Sequence, residues 1–222
     1  MFASERGFTS IVGILIENSA DVNSKNSSSK TPLMYACSRG HNELATVLLE
    51  AGAAINSSTN NGETALIFAA AGGHIDTVEL LLKHNADVNQ ADKYGDSPLT
   101  HAVVGGDTQT VLQLIAAGAN VNQMNVKGFT ALYEACRKSR MDLAMALVER
   151  GSSLDSTSCT AEDMLELLVN EEDRDALRRT SHWYRRKSLI LLERSLWSQA
   201  DRSKAATVLC NHDLAAQIIL LL

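Results

Sequence analysis

The stretch TALIFAAAGGHIDTVELLLKHNADVN (residues 64–89) contains two helical patterns separated by a pair of glycines. Thr64 is suited to cap the first helix, in which small alanines allow a second helix to approach closely. The second pattern has apolar residues at the three- and four-residue steps of an amphipathic helix, namely Ile75, Val78, Leu81 and Leu82. The glycine pair ends the first helix, and Asn85 follows the second, where a left-handed residue is expected. The stretch therefore predicts a helix-turn-helix unit.

The same unit recurs along the chain with a period of 33 residues. Its closing segment is found as NSADVN (18–23), AGAAIN (51–56), HNADVN (84–89), AGANVN (117–122) and RGSSLD (150–155). Its opening segment is found as TPLMYAC (31–37), TALIFAA (64–70), SPLTHAV (97–103) and TALYEAC (130–136). In three of the units a glycine holds the place of Asn85, namely Gly52, Gly118 and Gly151. Because one such unit cannot bury its apolar face alone, neighbouring units must stack into an array.

The period and these motifs, repeated in register, resemble ankyrin repeats. The resemblance implies an all-α fold: an ankyrin-repeat solenoid of stacked helix-turn-helix units with β-turn loops, followed by a short C-terminal helical segment. We expect the array to span residues 1–175 and to consist of a partial repeat (1–23), four full repeats (24–56, 57–89, 90–122 and 123–155) and a shortened repeat (156–175). Residues 176–222 are then basic, leucine-rich C-terminal helices.

The sequence departs from the family pattern at one place in the opening segment. The histidine that usually follows Thr-Pro-Leu is replaced by Met34, Ile67, Thr100 and Tyr133. By resemblance, that histidine helps to bond adjacent loops, so we expect some of the polar bonding between repeats to be absent. We expect the fold to survive, because apolar stacking supplies most of the stabilisation.

Residues that could suggest catalysis fit a repeated scaffold better. His41 and His74 occupy the same place in their repeats. Asp107 and Arg140 stand there in the other two repeats, so no metal ligand recurs at this place. The glycine pairs are not followed by the Lys-Ser or Lys-Thr of a phosphate-binding loop, and helix termination accounts for them.

The cysteines also give no indication of an enzyme. Cys37 and Cys136 replace an alanine of the opening segment, which is typical of a small buried residue. Cys159 and Cys210 lie outside the repeated pattern, and no Gly-x-Ser-x-Gly nucleophile motif is present in the sequence. We therefore predict a non-enzymatic protein with no catalytic residues, no cofactor and no metal site.

Charge and composition favour an intracellular protein that binds other proteins. Residues 1–175 carry 12 Lys/Arg and 23 Asp/Glu, whereas residues 176–222 carry 8 Lys/Arg and 3 Asp/Glu. This split permits intramolecular docking of the basic tail on the acidic array, and the acidic chain as a whole disfavours nucleic acid. No apolar run approaches the ~20 residues of a membrane span, and the first ten residues lack a signal-peptide pattern. We expect a cytoplasmic or nuclear protein.

The partner-binding residues follow from the resemblance, because ankyrin-like arrays expose their loop tips and the concave side of their first helices. The fourth full repeat differs from the others in placing apolar and aromatic residues beside cations, a combination typical of binding hot spots. We predict that a protein or peptide partner binds at Tyr94, Met124, Val126, Phe129, Arg137 and Lys138. The alternative is that Met124 and Phe129 pack against the C-terminal tail or a neighbouring loop.

Two functions fit these observations. The first is a non-catalytic protein–protein interaction module or scaffold that binds its partner through the loop tips and the concave face. The alternative is a substrate adaptor of a ubiquitin ligase, with the C-terminal helices as the recruiting element. In those helices Trp183, Ile190 and Trp197 recur at seven-residue steps, and Asn211 is suited to cap a later helix. The tail matches no recruiting motif that we recognise.

Overall fold

The computed structural model describes residues 1–153, 172–177 and 179–180. All of them belong to one compact unit that runs from Met1 to Thr180. Residues 1–153 contain ten helices: α1 (Phe2–Glu5), α2 (Thr9–Glu17), α3 (Pro32–Ser38), α4 (Asn42–Glu50), α5 (Ala65–Ala71), α6 (Ile75–Lys83), α7 (Pro98–Gly105), α8 (Thr108–Ala116), α9 (Ala131–Arg137) and α10 (Met141–Glu149). They form consecutive pairs, one pair to each repeat.

The first helix of each full repeat begins at a side-chain cap. Thr31, Thr64, Ser97 and Thr130 have extended backbones, and each accepts a hydrogen bond from the backbone N–H three residues further on. A proline stands at the first helical position in α3 and α7. The predicted caps are therefore confirmed, and the cap explains why each opening segment starts with Thr or Ser.

The second helix of each pair ends at a residue in the left-handed region, as the sequence predicts. Gly118 has φ +91° and Asn85 has φ +63°. A left-handed residue at this place turns the chain out of the helix and releases it into the next loop. Asparagine can replace glycine here because it tolerates positive φ better than most residues do.

The helix pairs stack in two rows. In one row α1, α3, α5, α7 and α9 contact one another in succession, and in the other row α2, α4, α6, α8 and α10 do the same. In the four full repeats, one leucine of each second helix lies in the centre of the stack and is at most 1% exposed, namely Leu48, Leu81, Leu114 and Leu147. Fully buried alanines at 33-residue steps separate the first helices, namely Ala36, Ala69, Ala102 and Ala135. The predicted all-α solenoid of helix-turn-helix units is confirmed.

The loop tips of neighbouring repeats are bonded through their main chains. The N–H of Asn60 donates to Ser28 O at 3.0 Å, and the N–H of Lys93 donates to Asn61 O at 2.8 Å. The N–H of Val126 makes the corresponding bond to Tyr94 at 2.8 Å. Polar bonding between adjacent loops therefore persists without the usual histidine of the opening segment, because backbone groups supply it.

A ladder of asparagine side chains forms a second set of hydrogen bonds between the repeats. Asn23, Asn56, Asn89 and Asn122 are the closing residues of their segments, and each Oδ1 accepts the N–H of the residue 31 positions ahead, at 2.7–3.0 Å. The side-chain amide of Asn89 also donates to Gly118 O at 3.4 Å. The recurrence of asparagine in the closing segment therefore has a structural cause.

We expect Asn89→Ala to lower the free energy of unfolding by about 1 kcal/mol, because it removes hydrogen bonds between the second and third full repeats. Urea denaturation followed by circular dichroism measures the loss. Gln109→Ala is the control, since Gln109 is an exposed polar residue of the adjoining helix α8. Equal losses for the two variants would show that the ladder does not join the repeats energetically.

A short helical segment beyond residue 171 packs against the last described helix pair. Residues 172–177 and 179–180 are helical, and Leu177 is buried in the same core as the repeats. The Thr180 hydroxyl donates to Met145 Sδ at 3.4 Å. The predicted shortened repeat and C-terminal helices, including the pattern of Trp183, Ile190 and Trp197, lie largely outside the described residues. The domain boundary at 175/176 stays a prediction.

Candidate functional site

The two histidines of the repeated scaffold bond to the preceding repeat. His41 Nε2 lies 3.1 Å from Glu5 O, and His74 Nε2 lies 3.3 Å from Ser38 O. Arg140 holds the same place in the last full repeat and donates from Nη2 to Gly106 O at 2.8 Å. The place is a stacking contact, which confirms the structural interpretation of these histidines.

The fourth residue at this place, Asp107, works within its own repeat. Its carboxylate accepts the N–H of Thr110 at 2.8 Å and thereby caps α8. In the last full repeat Asp142 receives hydrogen bonds from Arg140 and Thr108, and the bond from Arg140 is the main reason why the pKa of Asp142 falls to about 2. These ionic groups join two repeats at the surface.

The described cysteines are inert by position. Cys37 and Cys136 are fully buried in the core of the stack. Burial raises the pKa of the Cys136 thiol to about 12 and raises that of Cys37 as well, so both stay protonated at neutral pH. The interpretation of these two cysteines as small buried residues is confirmed, whereas Cys159 and Cys210 lie outside the described residues.

A groove of about 430 Å³ lies between the third and fourth full repeats. Its walls are formed by Tyr94, Asp96, Asn125, Val126, Lys127, Phe129, Tyr133, Glu134 and Arg137. The groove brings together four of the six residues predicted to bind a partner, namely Tyr94, Val126, Phe129 and Arg137. Met124 and Lys138 are exposed but do not line it.

Two apolar side chains on the groove are open to solvent. Tyr94 is 53% exposed and Val126 is 71% exposed, although both are residues that proteins more often bury in part. They stand at adjacent loop tips and are tied together by the hydrogen bond from Val126 N to Tyr94 O. The groove therefore presents an apolar rim on a fixed backbone.

Phe129 is only partly open to solvent, and its role in partner binding stays a prediction. Its ring is half-buried because it stacks on Tyr133 of α9, with ring centroids 3.9 Å apart and planes inclined by 6°. This packing partner belongs to the helix of its own repeat, not to a neighbouring loop, and the C-terminal tail lies outside the described residues. The stacked pair makes one wall of the groove aromatic and rigid.

Arg137 is held in place by Glu134, which precedes it by one helical turn. Its Nε and Nη2 donate to Glu134 Oε2 at 2.9 and 2.6 Å. The guanidinium remains partly exposed and keeps donors free for a partner, since it has five N–H groups. The two carboxylates of Asp96 and Glu134 balance the charges of Arg137 and Lys127, so the formal charge of the lining residues is zero.

Asn125 organises the loop that carries the groove. Its Oδ1 accepts the N–H groups of Lys127 and Phe129 at 3.0 Å each, and its Nδ2 donates to Asp96 Oδ1 at 3.0 Å. The same loop position is held by Asn26, Thr59 and Asp92, each of which accepts two backbone N–H groups in the same way. A polar residue recurring at 33-residue steps is the signal that could have revealed this role.

A family model for ankyrin repeats (3 copies) matches residues 1–92 and 85–158. The chain belongs to the ankyrin repeat family. Ankyrin repeats are general protein–protein interaction modules and are typically non-catalytic. No curated protein gives a significant match to this chain. Within the parts of this ankyrin repeat protein that the structure describes, no helix has the length and apolar character needed to cross a membrane.

Proposed function

We propose that this ankyrin repeat protein is a non-catalytic interaction module that binds a protein or peptide partner in the groove between its third and fourth full repeats. The observation that carries the proposal is the exposed apolar rim of Tyr94 and Val126 beside an oriented arginine. Exposed aromatic and aliphatic side chains next to arginine are the composition of interface hot spots.

The groove is also preorganised for binding. The hydrogen bonds of Asn125 fix the loop, and the stack of Phe129 on Tyr133 fixes one wall. A partner therefore loses little free energy to ordering this surface, which favours affinity. Met124 and Lys138 lie beyond the walls, so we assign them to the rim of the interface, where single contacts contribute less.

We expect Val126→Glu and Arg137→Glu each to weaken partner binding by about tenfold or more, because both change a hot-spot side chain without touching the core. The test is affinity purification with the full chain, followed by titration of the purified partner against each variant. Ser27→Glu is the matched control, since Ser27 is exposed and holds the position of Val126 three repeats earlier.

Partners that the wild-type chain and Ser27→Glu retain, and that both groove variants lose, support the proposal. Partners that remain bound to both groove variants contradict it. The alternative function as a ligase adaptor rests on residues 176–222, most of which lie outside the described residues, and no observation here favours it.

A further inference from the structure

The charged side chains of the groove are not equally open to solvent, although the formal charge of its lining residues is zero. The side chain of Glu134 is 13% exposed, whereas that of Arg137 is 46% exposed. Because Arg137 donates to Glu134 from Nε and Nη2, the two form an ion pair in which the cation is the more accessible group. A partner in the groove therefore meets more of the guanidinium than of the carboxylate.

The ion pair with Glu134 uses only one edge of the Arg137 guanidinium. Glu134 Oε2 accepts the N–H of Nε and one N–H of Nη2, which lie on the same edge of the planar group. Nη1 and the second N–H of Nη2 form another pair of donors, on an edge that Glu134 does not use. Two parallel N–H groups match the two oxygens of a carboxylate, so this edge suits an acidic side chain.

Two lysines add to the accessible positive charge. Lys127 lines the groove from the loop tip next to Val126, and Lys138 follows Arg137 at the end of α9; both lysines are exposed. Within residues 1–153, 172–177 and 179–180, neither lysine forms an ion pair with a carboxylate. Each ammonium group can therefore pair with a carboxylate of a partner without breaking an ion pair to a described residue.

The other carboxylate of the groove, Asp96, is partly engaged inside the protein. Its Oδ1 accepts a hydrogen bond from Asn125 Nδ2 at 3.0 Å, and the residue is half-buried. The three exposed cations thus stand against one half-buried carboxylate and one that is already paired. The surface that a partner can touch is therefore more positive than the formal charge of the lining residues suggests.

The repeat scaffold does not require these cations. At the places of Lys127, Arg137 and Lys138, the other three full repeats carry one cation in total, Arg39, which pairs with Glu5 at 3.1 Å. Residues 1–175 carry 12 Lys/Arg and 23 Asp/Glu, so this group of cations is a local exception on an acidic array. Residues that depart from a repeated pattern in this way are candidates for a functional role.

We propose that the partner presents an acidic segment to the groove. An apolar side chain of the segment packs beside Tyr94 and Val126, and flanking aspartate or glutamate side chains pair with Arg137 and Lys127, with Lys138 adding attraction at the rim. The inference rests on the proposed function of the groove and names the chemistry of its ligand. The segment 176–222 carries 8 Lys/Arg and 3 Asp/Glu, a charge that is not complementary to these cations, so the ligand belongs to a separate protein.

Selection from a random peptide library displayed on phage, with the full chain immobilised, tests the proposal. We expect the enriched peptides to carry Asp or Glu beside an aliphatic or aromatic residue. Fluorescence anisotropy with the best synthetic peptide then measures affinity, and Lys127→Glu should raise its dissociation constant about tenfold. Replacing the acidic residues of the peptide with lysine should weaken its binding to the wild-type chain and restore part of its affinity for Lys127→Glu.

Lys25→Glu is the matched control, because Lys25 is an exposed lysine of the first full repeat and does not line the groove. It makes the same change of charge as Lys127→Glu and should leave the affinity for the peptide unchanged. Circular dichroism verifies that both variants are folded, as expected for substitutions of exposed residues.

Enriched peptides that lose affinity for Val126→Glu but carry no excess of acidic residues overturn the inference and leave the groove as a binding site. Equal affinity of the best peptide for Lys127→Glu and Lys25→Glu has the same consequence. If no enriched peptide is sensitive to Val126→Glu, the proposed function fails, and this inference fails with it. A labelled single-stranded oligonucleotide that bound the full chain more tightly than any peptide, and lost affinity for Lys127→Glu, would overturn the assignment of a protein as the ligand.

Discussion

Replacing Leu81 with alanine is expected to lower the free energy of unfolding by about 2–5 kcal/mol, one of the two largest effects of a single substitution predicted for this chain. Leu81 is fully buried in the middle of α6, and α6 lies between α4 and α8. The shorter side chain leaves a cavity that the closely packed helices on both sides cannot fill. Because every repeat depends on its neighbours, the loss weakens the whole array and not one helix pair alone.

Urea denaturation followed by circular dichroism measures this loss, and Ile75→Ala is the control. Ile75 lies in the same helix and has the same number of carbon atoms as Leu81, but it is 36% exposed. The control should lose about 1 kcal/mol, since less apolar surface leaves the core. If the two variants unfolded at the same urea concentration, burial of the central leucines would not be the main source of stability.

Gly95→Ala is expected to destabilise the protein and to impair the groove together. Gly95 has φ +80°, where an L-residue costs about 1–2 kcal/mol. An added Cβ would also lie 2.9 Å from Asn125 Cα and 3.0 Å from Val126 N, both of them backbone atoms of the next loop. The tip that carries Val126 must then move away from Tyr94, at an additional cost of about 1–3 kcal/mol.

Gly118→Ala separates the two contributions to this effect. Gly118 also has positive φ, +91°, but a Cβ there meets no atom within 4 Å. We therefore expect Gly118→Ala to show the backbone cost alone and to bind the groove partner normally, whereas Gly95→Ala loses both stability and affinity. Comparable denaturation curves and equal partner affinities for the two variants would contradict the importance of close loop contact.

Much of the fold could be predicted because short sequence patterns that determine local structure recur in every repeat. Thr64 is followed by a helix because its hydroxyl caps that helix, and Leu81 lies at the centre of the stack because apolar residues recur at helical steps. The bonds between repeats were harder to foresee. The ladder of Asn89 and its equivalents joins atoms about one repeat apart, and a pattern in one dimension does not say which backbone group a side chain reaches.

The sequence predicted some of the residues that line the groove but not how their side chains are arranged. Exposure of Tyr94 and Val126 follows from their place at loop tips. The burial of Phe129 depends on the direction of one ring relative to Tyr133, and spacing alone leaves that direction open. The pairing of Glu134 with Arg137 could have been found, because residues three apart on a helix are neighbours.

The asparagine ladder limits how the length of this chain can change. Asn56 reaches Asp87, and Asn89 reaches Asn120, each across 31 residues. Excision of residues 57–89 would place Asn56 at the distance from Asn120 that Asn89 has now, so the joined repeats keep both their bonding and the groove. An insertion or deletion of any other length between an asparagine and its partner changes this separation and moves the amide away from its acceptor. A whole repeat is therefore the smallest segment whose gain or loss within the stack leaves the asparagine hydrogen bonds between the remaining repeats intact.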